Sequence, residues 1–277
     1  MPTIYSKKPP YYGKFNGQGM LTLSFDDGRE DFYRVVYPIL KKMGLIATLN
    51  IPTAWIDGTM STPGTWLSAA GGPMTVQQIQ EIHGEGFEIA GHGDWHLNTE
   101  ADITTGVIKL KNWGVSRDGA VESFASPGSG LTIATLPTQK PIYQKLGLLC
   151  ARSDSATGAT AINNLNNINY PPTHNYRLTS QTIIKTNVLV DLIPVIRDAV
   201  VNRKWCILTL HSILRTTDAG YGADDWFWDV TKFTDFINWV SHIHQNDLLV
   251  VTTSDGYKYA NGLLKKSTIF DLHGRSR

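Results

Sequence analysis

Apolar runs of strand length alternate with longer segments of helical character along most of the chain. The candidate strands are MLTLSF (20–25), IATLNI (46–51), FEIAG (87–91), VESFAS (121–126), GLLCAR (147–152), WCILTL (205–210) and LLVVTT (248–253). Predicted helices cover 75–84, 99–112, 132–146, 186–202 and 229–245. This alternation is typical of βα units around a parallel sheet.

The segment after the first strand shows the helical pattern clearly. One face of REDFYRVVYPILKKMG carries the apolar side chains Phe32, Val35, Val36, Ile39 and Leu40. The segment ends in basic residues and Gly44, as amphipathic helices often do. Residues 153–181, in contrast, are rich in Asn, Thr and Pro and predict a long irregular segment.

About seven βα units leave two architectures open, a doubly wound open sheet and a closed barrel. Since α/β barrels use roughly 200–250 residues as one domain, we expect a single domain over residues 1–277. Its core would span about residues 20–260, with short extensions at both ends.

Composition narrows the partners. With a formal net charge of +1, the chain has no overall field that would attract nucleic acid or an anionic membrane, so we expect neither partner. Cys150 and Cys206 each lie in an apolar run, which favours buried thiols over a disulfide framework. The first residues lack the apolar core of a secretory signal, so either the protein is not secreted by that route or its leader is missing.

The motif SFDDG (24–28) places two aspartates and a glycine directly after an apolar strand. A carboxylate buried there is costly unless it is paired or binds a metal. Asp and Gly are also common turn residues, so this motif alone leaves both interpretations open.

The motif HGDWH (92–96) also follows an apolar strand and separates two histidines by four positions. On a helical turn this spacing would place both imidazoles on one side, close enough to share a tetrahedral metal. Surface histidines reach this spacing by chance, and Asp94 between them could be only a cap.

The run WCILTLH (205–211) ends a third apolar strand in a histidine, which in isolation is more often structural than functional. The polar residues of all three motifs nevertheless lie at carboxyl ends of predicted parallel strands. In a barrel these ends form the face where active sites lie, which favours the barrel over the open sheet. Two histidines and one carboxylate would leave metal positions open for water, as in catalytic zinc sites.

In sequence order, SFDDG, HGDWH and the later TLH (209–211) resemble the motifs of NodB-type polysaccharide deacetylases, carbohydrate esterase family 4, over roughly residues 20–260. The resemblance implies a distorted (β/α) barrel that deacetylates an acetylated polysaccharide or oligosaccharide. Asp27, His92 and His96 would bind a divalent metal, first of all zinc, with cobalt, nickel, manganese or iron as alternatives. Asp26 would be the general base and His211 the general acid.

The third family motif, commonly Arg-x-Pro-aromatic-Gly, is altered in this chain. It aligns with FASPGSG (124–130), where Ala125 stands at the arginine position and Gly128 at the aromatic one. A replacement arginine is available in CARSD (150–154), where Arg152 could reach Asp26 and Asp154 could pair with His211. A surface Arg-Asp pair is the alternative interpretation, and the family's aspartate-tryptophan motif has no clear match.

The resemblance also places Pro127, Gly128 and Ser129 at the substrate. Aromatic residues are dense after His211, and a loop with Tyr221, Trp226 and Trp228 would suit the C–H faces of sugar rings. Trp-x-Trp before a helix also packs well in a core, so part of this cluster could be structural.

Three hypotheses for function follow. The first is an active deacetylase of N- or O-acetylated glycans. The second is a carbohydrate-binding relative that has lost turnover, which Ala125 and the missing fourth motif favour. The third is a metal-independent amidohydrolase relative acting on cyclic amides, against which the intact HGDWH pair counts. Asp26 favours an enzyme, because binding alone needs no spare base beside a metal.

Overall fold

The computed structural model describes residues 18–60, 71–132, 134–154, 175–244 and 246–264. Within these residues, parallel strands close into a ring of seven, since the first also pairs with the seventh. The ring strands are β1 (Gly19–Phe25), β2 (Thr48–Ile51), β3 (Glu88–Gly91), β4 (Ser123–Ala125), β5 (Cys150–Asp154), β6 (Leu178–Thr182) and β7 (Trp205–Leu210). Two short strands, β8 (Ser212–Leu214) and β9 (Phe227–Asp229), pair with each other, and β10 (Leu248–Val250) pairs with β1.

Helices connect the strands and pack around the ring. They are α1 (Tyr37–Lys42), which continues a π-helical segment Phe32–Val36, then α2 (Thr53–Ile56), α3 (Val76–Gly84), α4 (Glu100–Asn112), α5 (Leu136–Leu146), α6 (Leu189–Val201), α7 (Val230–Ile243) and α8 (Thr253–Ala260). None of the helices in the described residues is both long and apolar enough to cross a membrane.

The predicted (β/α) barrel is confirmed, but one of its strands was assigned wrongly. All seven predicted strands form, yet the last of them, β10, joins only the first half of one edge of β1, before β2 takes over that edge. The missing ring strand is β6, which lies inside the segment predicted to be irregular. Residues 155–174 of that segment lie outside the described residues, and residues 153–154 belong to β5.

Alternation along the strands separates two kinds of side chain. On β1, Leu21, Leu23 and Phe25 pack outward in the main apolar cluster between ring and helices. The intervening residues Thr22 and Ser24 point inward, where their hydroxyls bond Trp205, Asn50 and Arg152. Successive residues of a strand point to opposite sides of the sheet. The inward side of β1 therefore begins with an apolar residue and leads to Asp26, which lies just beyond the end of the strand.

The amino-terminal end of the barrel is closed by a buried polar network around Glu88. Its carboxylate accepts hydrogen bonds from the hydroxyls of Thr48, at 3.0 Å, and Ser123, at 2.7 Å. It also accepts from the backbone N–H of Ser254 at the start of α8, at 3.1 Å. Glu88 therefore satisfies donors from three elements and fixes α8 beneath the ring.

We predict that Glu88→Leu lowers the free energy of unfolding by about 3 kcal/mol or more, because it leaves these buried donors without an acceptor. Urea denaturation measures the change. The control is Glu100→Leu, which removes an exposed carboxylate that pairs with Lys145 and should cost about 0.5 kcal/mol or less. Equal losses in the two variants would contradict the role of Glu88.

Candidate metal centre

Three ligand atoms converge at the carboxyl ends of β1 and β3. His92 Nε2 and His96 Nε2 lie 3.1 Å apart. Asp27 Oδ1 lies 3.7 Å from His92 Nε2 and 3.5 Å from His96 Nε2. These three side chains form a group that could hold a metal ion among the described residues.

The spacing of these atoms fits a tetrahedral divalent ion. Ligand bonds of about 2.0–2.1 Å in tetrahedral geometry set neighbouring donor atoms about 3.3 Å apart. The observed separations lie on both sides of that value, and the two nitrogens and one oxygen are donors that zinc, cobalt and nickel accept. With three protein ligands, a fourth position would remain for water or substrate.

The protonation of both histidines suits a metal. His92 Nδ1 lies 2.8 Å from the carbonyl oxygen of Ala125, and because a carbonyl only accepts, Nδ1 carries the proton. In the neutral ring with this tautomer, the lone pair of Nε2 is directed at the site. Burial, followed by the neighbouring His92, lowers the pKa of His96 to about 4, so this imidazole is neutral near pH 7.

The HGDWH segment is a loop and not the helical turn that its spacing suggested. Residues 92–98 have no helical structure, and His96 adopts a left-handed backbone with φ 59°. The buried side chain of Asp102 holds this loop, since its two oxygens accept from the backbone N–H groups of Trp95, at 2.5 Å, and Leu97, at 3.0 Å. A Cβ on Gly93 would lie 2.1 Å from Asp102 Oδ2, so this contact requires glycine.

The contacts of Asp94 are those of a residue that stabilises the loop. Its carboxylate accepts from the Thr53 hydroxyl at 2.6 Å and pairs with Lys109 at 2.9 Å. The backbone N–H groups at the start of α2 also donate to the carbonyls of Gly93 and Asp94. Asp94 thus contributes to holding the loop that presents both histidines.

Asp26 lies beside the three ligands with one oxygen engaged and the other directed at the site. Its Oδ1 accepts from Asn50 Nδ2 at 2.8 Å and from Arg152 Nη2. Its Oδ2 lies 3.9 Å from His92 Nε2 and 4.0 Å from His211 Nε2. Burial alone would raise the pKa of Asp26, but Arg152, then His92 and His211, lower it below its ordinary value.

Arg152 contacts Asp26, as the arginine that is missing at position 125 would be expected to do. It is fully buried on β5, directly across the strand pair from Ala125, and its Nε donates to Ser24 Oγ at 2.9 Å. The chain thus has a small side chain at 125, where the family has its arginine, and an arginine on the neighbouring strand that contacts the carboxylate of Asp26. The alternative of a surface pair is wrong for Arg152.

His211 lies at the end of β7, with Nε2 toward Asp26 and its ring 5.3 Å from the ring of Trp226. Burial is the main cause that lowers its pKa. Its Nδ1 is buried without a hydrogen-bond partner in the part of the chain that the structure describes. The pairing predicted with Asp154 stays a prediction, because the side chain of Asp154 lies outside the described residues.

Only part of the aromatic cluster predicted to bind the substrate lies at the surface. Trp226 and Tyr221 are exposed, whereas Trp228, also predicted there, is buried against Phe233 and Phe236 and donates to the carbonyl of Asn187. Trp228 is a core residue because its indole fills the space between β9 and α7.

The remaining residues predicted to contact the substrate follow β4. Pro127 and Gly128 form a short 3₁₀ turn with Ser129, whose side chain lies outside the described residues. The carbonyl of Pro127 accepts from Asn98 Nδ2 at 2.9 Å, which ties this turn to the end of the histidine loop.

The sequence did not point to Arg29, Asn50 or Asp31. Arg29 Nη2 lies 2.7 Å from Asp27 Oδ2. Burial alone would raise the pKa of Asp27, but Arg29, followed by His211, lowers this pKa below its ordinary value. Asp31 is fully buried and accepts from the backbone N–H of Ile213 at 2.6 Å. The only sequence signal for Arg29 and Asp31 is their position directly after SFDDG, in a helix that looks merely amphipathic.

Comparison with known families matches residues 14–115 to the family described as polysaccharide deacetylase. No curated protein matches the chain. Since the matched segment contains SFDDG and HGDWH, the family resemblance of these motifs is confirmed.

Solved structures share the fold at low sequence identity. A putative polysaccharide deacetylase from Mycobacterium smegmatis is 13% identical, with a TM-score of 0.55 over 92% of this chain and 96% of that one. The Xyl-CE4 domain of a multidomain xylanase from the hindgut metagenome of Trinervitermes trinervoides is 15% identical, with a TM-score of 0.51 over 89% and 92%. The catalytic domain of a peptidoglycan N-acetylglucosamine deacetylase from Eubacterium rectale is 16% identical, with a TM-score of 0.50 over 88% and 94%.

Asp31 generates a prediction about pH. Burial raises its pKa from 3.8 to about 7, so the folded chain binds this proton more tightly than the unfolded chain. Its contribution to stability is therefore complete at low pH and declines as the pH rises toward 7. Asp31→Asn, which cannot ionise, should gain stability relative to the unmodified chain by a few kcal/mol between about pH 4.5 and about pH 8.

Urea denaturation of both proteins across this pH range measures the difference. Asp247→Asn is a suitable control, because this aspartate lies in the turn before β10, is partly exposed and is far along the chain from the site. A stability difference for Asp31→Asn that stays constant with pH would contradict the assignment.

Proposed function

We propose that this chain is a metal-dependent hydrolase that removes acetyl groups from a glycan. Its barrel fold is that of polysaccharide deacetylases, and its residues 14–115 match that family. The observation that carries the proposal is the free oxygen of Asp26. Asp26 Oδ2 faces the ligand trio at 3.9 Å from His92 Nε2, while its partner oxygen is held by Arg152 and Asn50. A site that only bound a metal would not need this additional oriented carboxylate.

Asp27, His92 and His96 would hold the ion, with zinc as the first choice for two imidazoles and a carboxylate. A divalent ion bound there would polarise the acyl carbonyl and make water a better nucleophile near neutral pH. Cobalt, nickel, manganese and iron are compatible with the same donors.

Asp26 would serve as the general base. Its Oδ2 is the oxygen available to accept a proton, because two donors already occupy Oδ1. The lowered pKa keeps Asp26 ionised before the reaction, as a base requires.

His211 would deliver a proton to the leaving amine or alkoxide. Because burial lowers the pKa of His211, the imidazole is neutral before the reaction and the proton it donates must come from the reaction itself. Asp26 Oδ2 lies 4.0 Å from His211 Nε2, so the proton that Asp26 accepts can reach the histidine with little movement.

The substrate would bind at the aromatic side of His211. Trp226 lies with its ring 5.3 Å from the imidazole, and Tyr221 packs against Phe227 in the same segment. Both are exposed, so their faces are open to the apolar face of a sugar ring. We propose an acetylated polysaccharide or oligosaccharide as the substrate class, located outside the cell.

A carbohydrate-binding relative without turnover is the second candidate. Ala125 favoured it, but Arg152 bonds the carboxylate that the family's arginine would orient. The third candidate, a metal-independent amidohydrolase, is disfavoured by the convergence of His92 and His96.

The first test is acetate release from acetylated chitooligosaccharide, acetylxylan and peptidoglycan, with and without a chelator. We expect release from at least one substrate, its loss with chelator, and its recovery with added Zn²⁺ or Co²⁺. Asp26→Asn should lower release about 100-fold or more while one metal ion per chain is still bound. Absence of chelator-sensitive release from every substrate would contradict the proposed function.

Arg152 provides a second prediction. Arg152→Met leaves the buried carboxylate of Asp26 without its cation, and we expect the rate of acetate release to fall about 10- to 100-fold with metal still bound. Arg117→Met is the matched control, because Arg117 also pairs with a buried carboxylate, Asp255, but at the opposite end of the barrel.

The control should lose stability but keep its turnover per folded molecule, which thermal melting and single-substrate kinetics separate. Unchanged turnover in Arg152→Met, or an equal loss in both variants, would show that Arg152 does not position Asp26.

A further inference from the structure

A second buried arginine, Arg29, contacts the candidate metal ligand and the strand that follows His211. Its Nη2 and Nε lie 2.7 Å and 3.2 Å from Asp27 Oδ2. Its Nη1 donates to Ser212 Oγ at 2.8 Å. Both side chains of the Arg29–Asp27 pair are almost fully buried, so bulk water does not screen this contact.

We propose that Arg29 is a positioning residue that fixes Asp27 as a ligand through one oxygen and couples it to the segment carrying His211. The inference rests on the proposed metal site and adds a residue to it. Asp27 Oδ2 is occupied by the guanidinium, which leaves Oδ1 as the oxygen that faces the two imidazoles. Asp27 thus presents a single oxygen, and the remaining ligand positions stay open.

The backbone around Arg29 is itself held, so the guanidinium has a fixed origin. The N–H of Met74 donates to the carbonyl of Gly28 at 2.8 Å, and the N–H of Glu30 donates to the carbonyl of Gly72 at 2.9 Å. Arg29 forms an isolated antiparallel bridge with Pro73 between these two bonds. A short segment before α3 therefore clamps the chain on both sides of Arg29.

The contact pattern calls for the planar fork of arginine and not only for a positive charge. Two N–H groups bond Asp27 while a third points away to Ser212, on a strand 183 residues further along the chain. A lysine ammonium is a point charge on a flexible stem and cannot span both partners with the same geometry.

A neighbouring contact reinforces the same coupling. Asp31 accepts from the backbone N–H of Ile213 at 2.6 Å, so one segment after SFDDG holds two consecutive residues after His211. These two contacts tie the segment that carries Asp27 to the segment that follows His211.

The test measures Co²⁺ binding to the full chain by calorimetry, which does not depend on turnover. Arg29→Lys keeps the charge and loses the fork, and we expect it to weaken Co²⁺ binding about 10- to 100-fold. Ser212→Ala removes one hydroxyl and should weaken binding about 3- to 10-fold, the equivalent of one hydrogen bond. In the Arg29→Lys background the same alanine substitution should have no further effect, because its influence passes through Arg29.

Ser123→Ala is the matched control, since it also removes a buried hydroxyl that donates to a carboxylate, at the opposite end of the barrel. Its Co²⁺ affinity should equal that of the unmodified chain. The visible absorption of bound Co²⁺ gives an independent readout, because a change in the coordination of Asp27 alters it. Ser212→Ala is mild enough to test the coupling if Arg29→Lys fails to fold.

Wild-type Co²⁺ affinity and spectrum in both Arg29→Lys and Ser212→Ala would overturn the inference. Failure of the unmodified chain to bind Co²⁺ would overturn the metal site and the inference together. Co²⁺ binding with the expected losses but without acetate release would overturn only the proposed function, so the two failures are distinguishable.

Discussion

Two adjacent carboxylates, Asp26 and Asp27, are buried at the end of β1, and the arrangement of the site depends on neutralising them. An ionised carboxylate removed from water costs several kcal/mol unless partners compensate for it. Each one has its own buried arginine, Arg152 for Asp26 and Arg29 for Asp27. Each arginine occupies one oxygen. The remaining oxygen of Asp27 faces His92 and His96, and the remaining oxygen of Asp26 faces His92 and His211.

The barrel makes this arrangement possible because alternation brings side chains from separate strands to one interior. Asp26, His92 and His211 lie just beyond the ends of β1, β3 and β7, and Arg152 reaches the same site from within β5. Further down, Glu88 closes the opposite end of the barrel. The interior therefore combines an apolar cluster around Met20 and Trp205 with polar groups above it, which hydrogen bonds between strands hold in place.

The sequence predicted the features that local pattern encodes. The motifs SFDDG, HGDWH and TLH each follow an apolar run, so their positions at the carboxyl ends of strands could be predicted. Strand β6, LTSQT, could not, because Leu178 is its single apolar residue and it therefore lacks an apolar run. The roles of Arg29 and Asp102 depend on tertiary contacts, and the conformation of the histidine loop depends on Asp102 and Gly93.

In the proposed site, Asp27, His92 and His96 share one divalent ion. X-ray absorption of the chain loaded with one equivalent of Zn²⁺ tests it most directly, because backscattering from imidazole rings identifies histidine ligands. We expect two imidazoles and one carboxylate oxygen at about 2.0–2.1 Å, with one imidazole lost in His92→Ala. A spectrum without imidazole backscattering, or one that His92→Ala leaves unchanged, would contradict it.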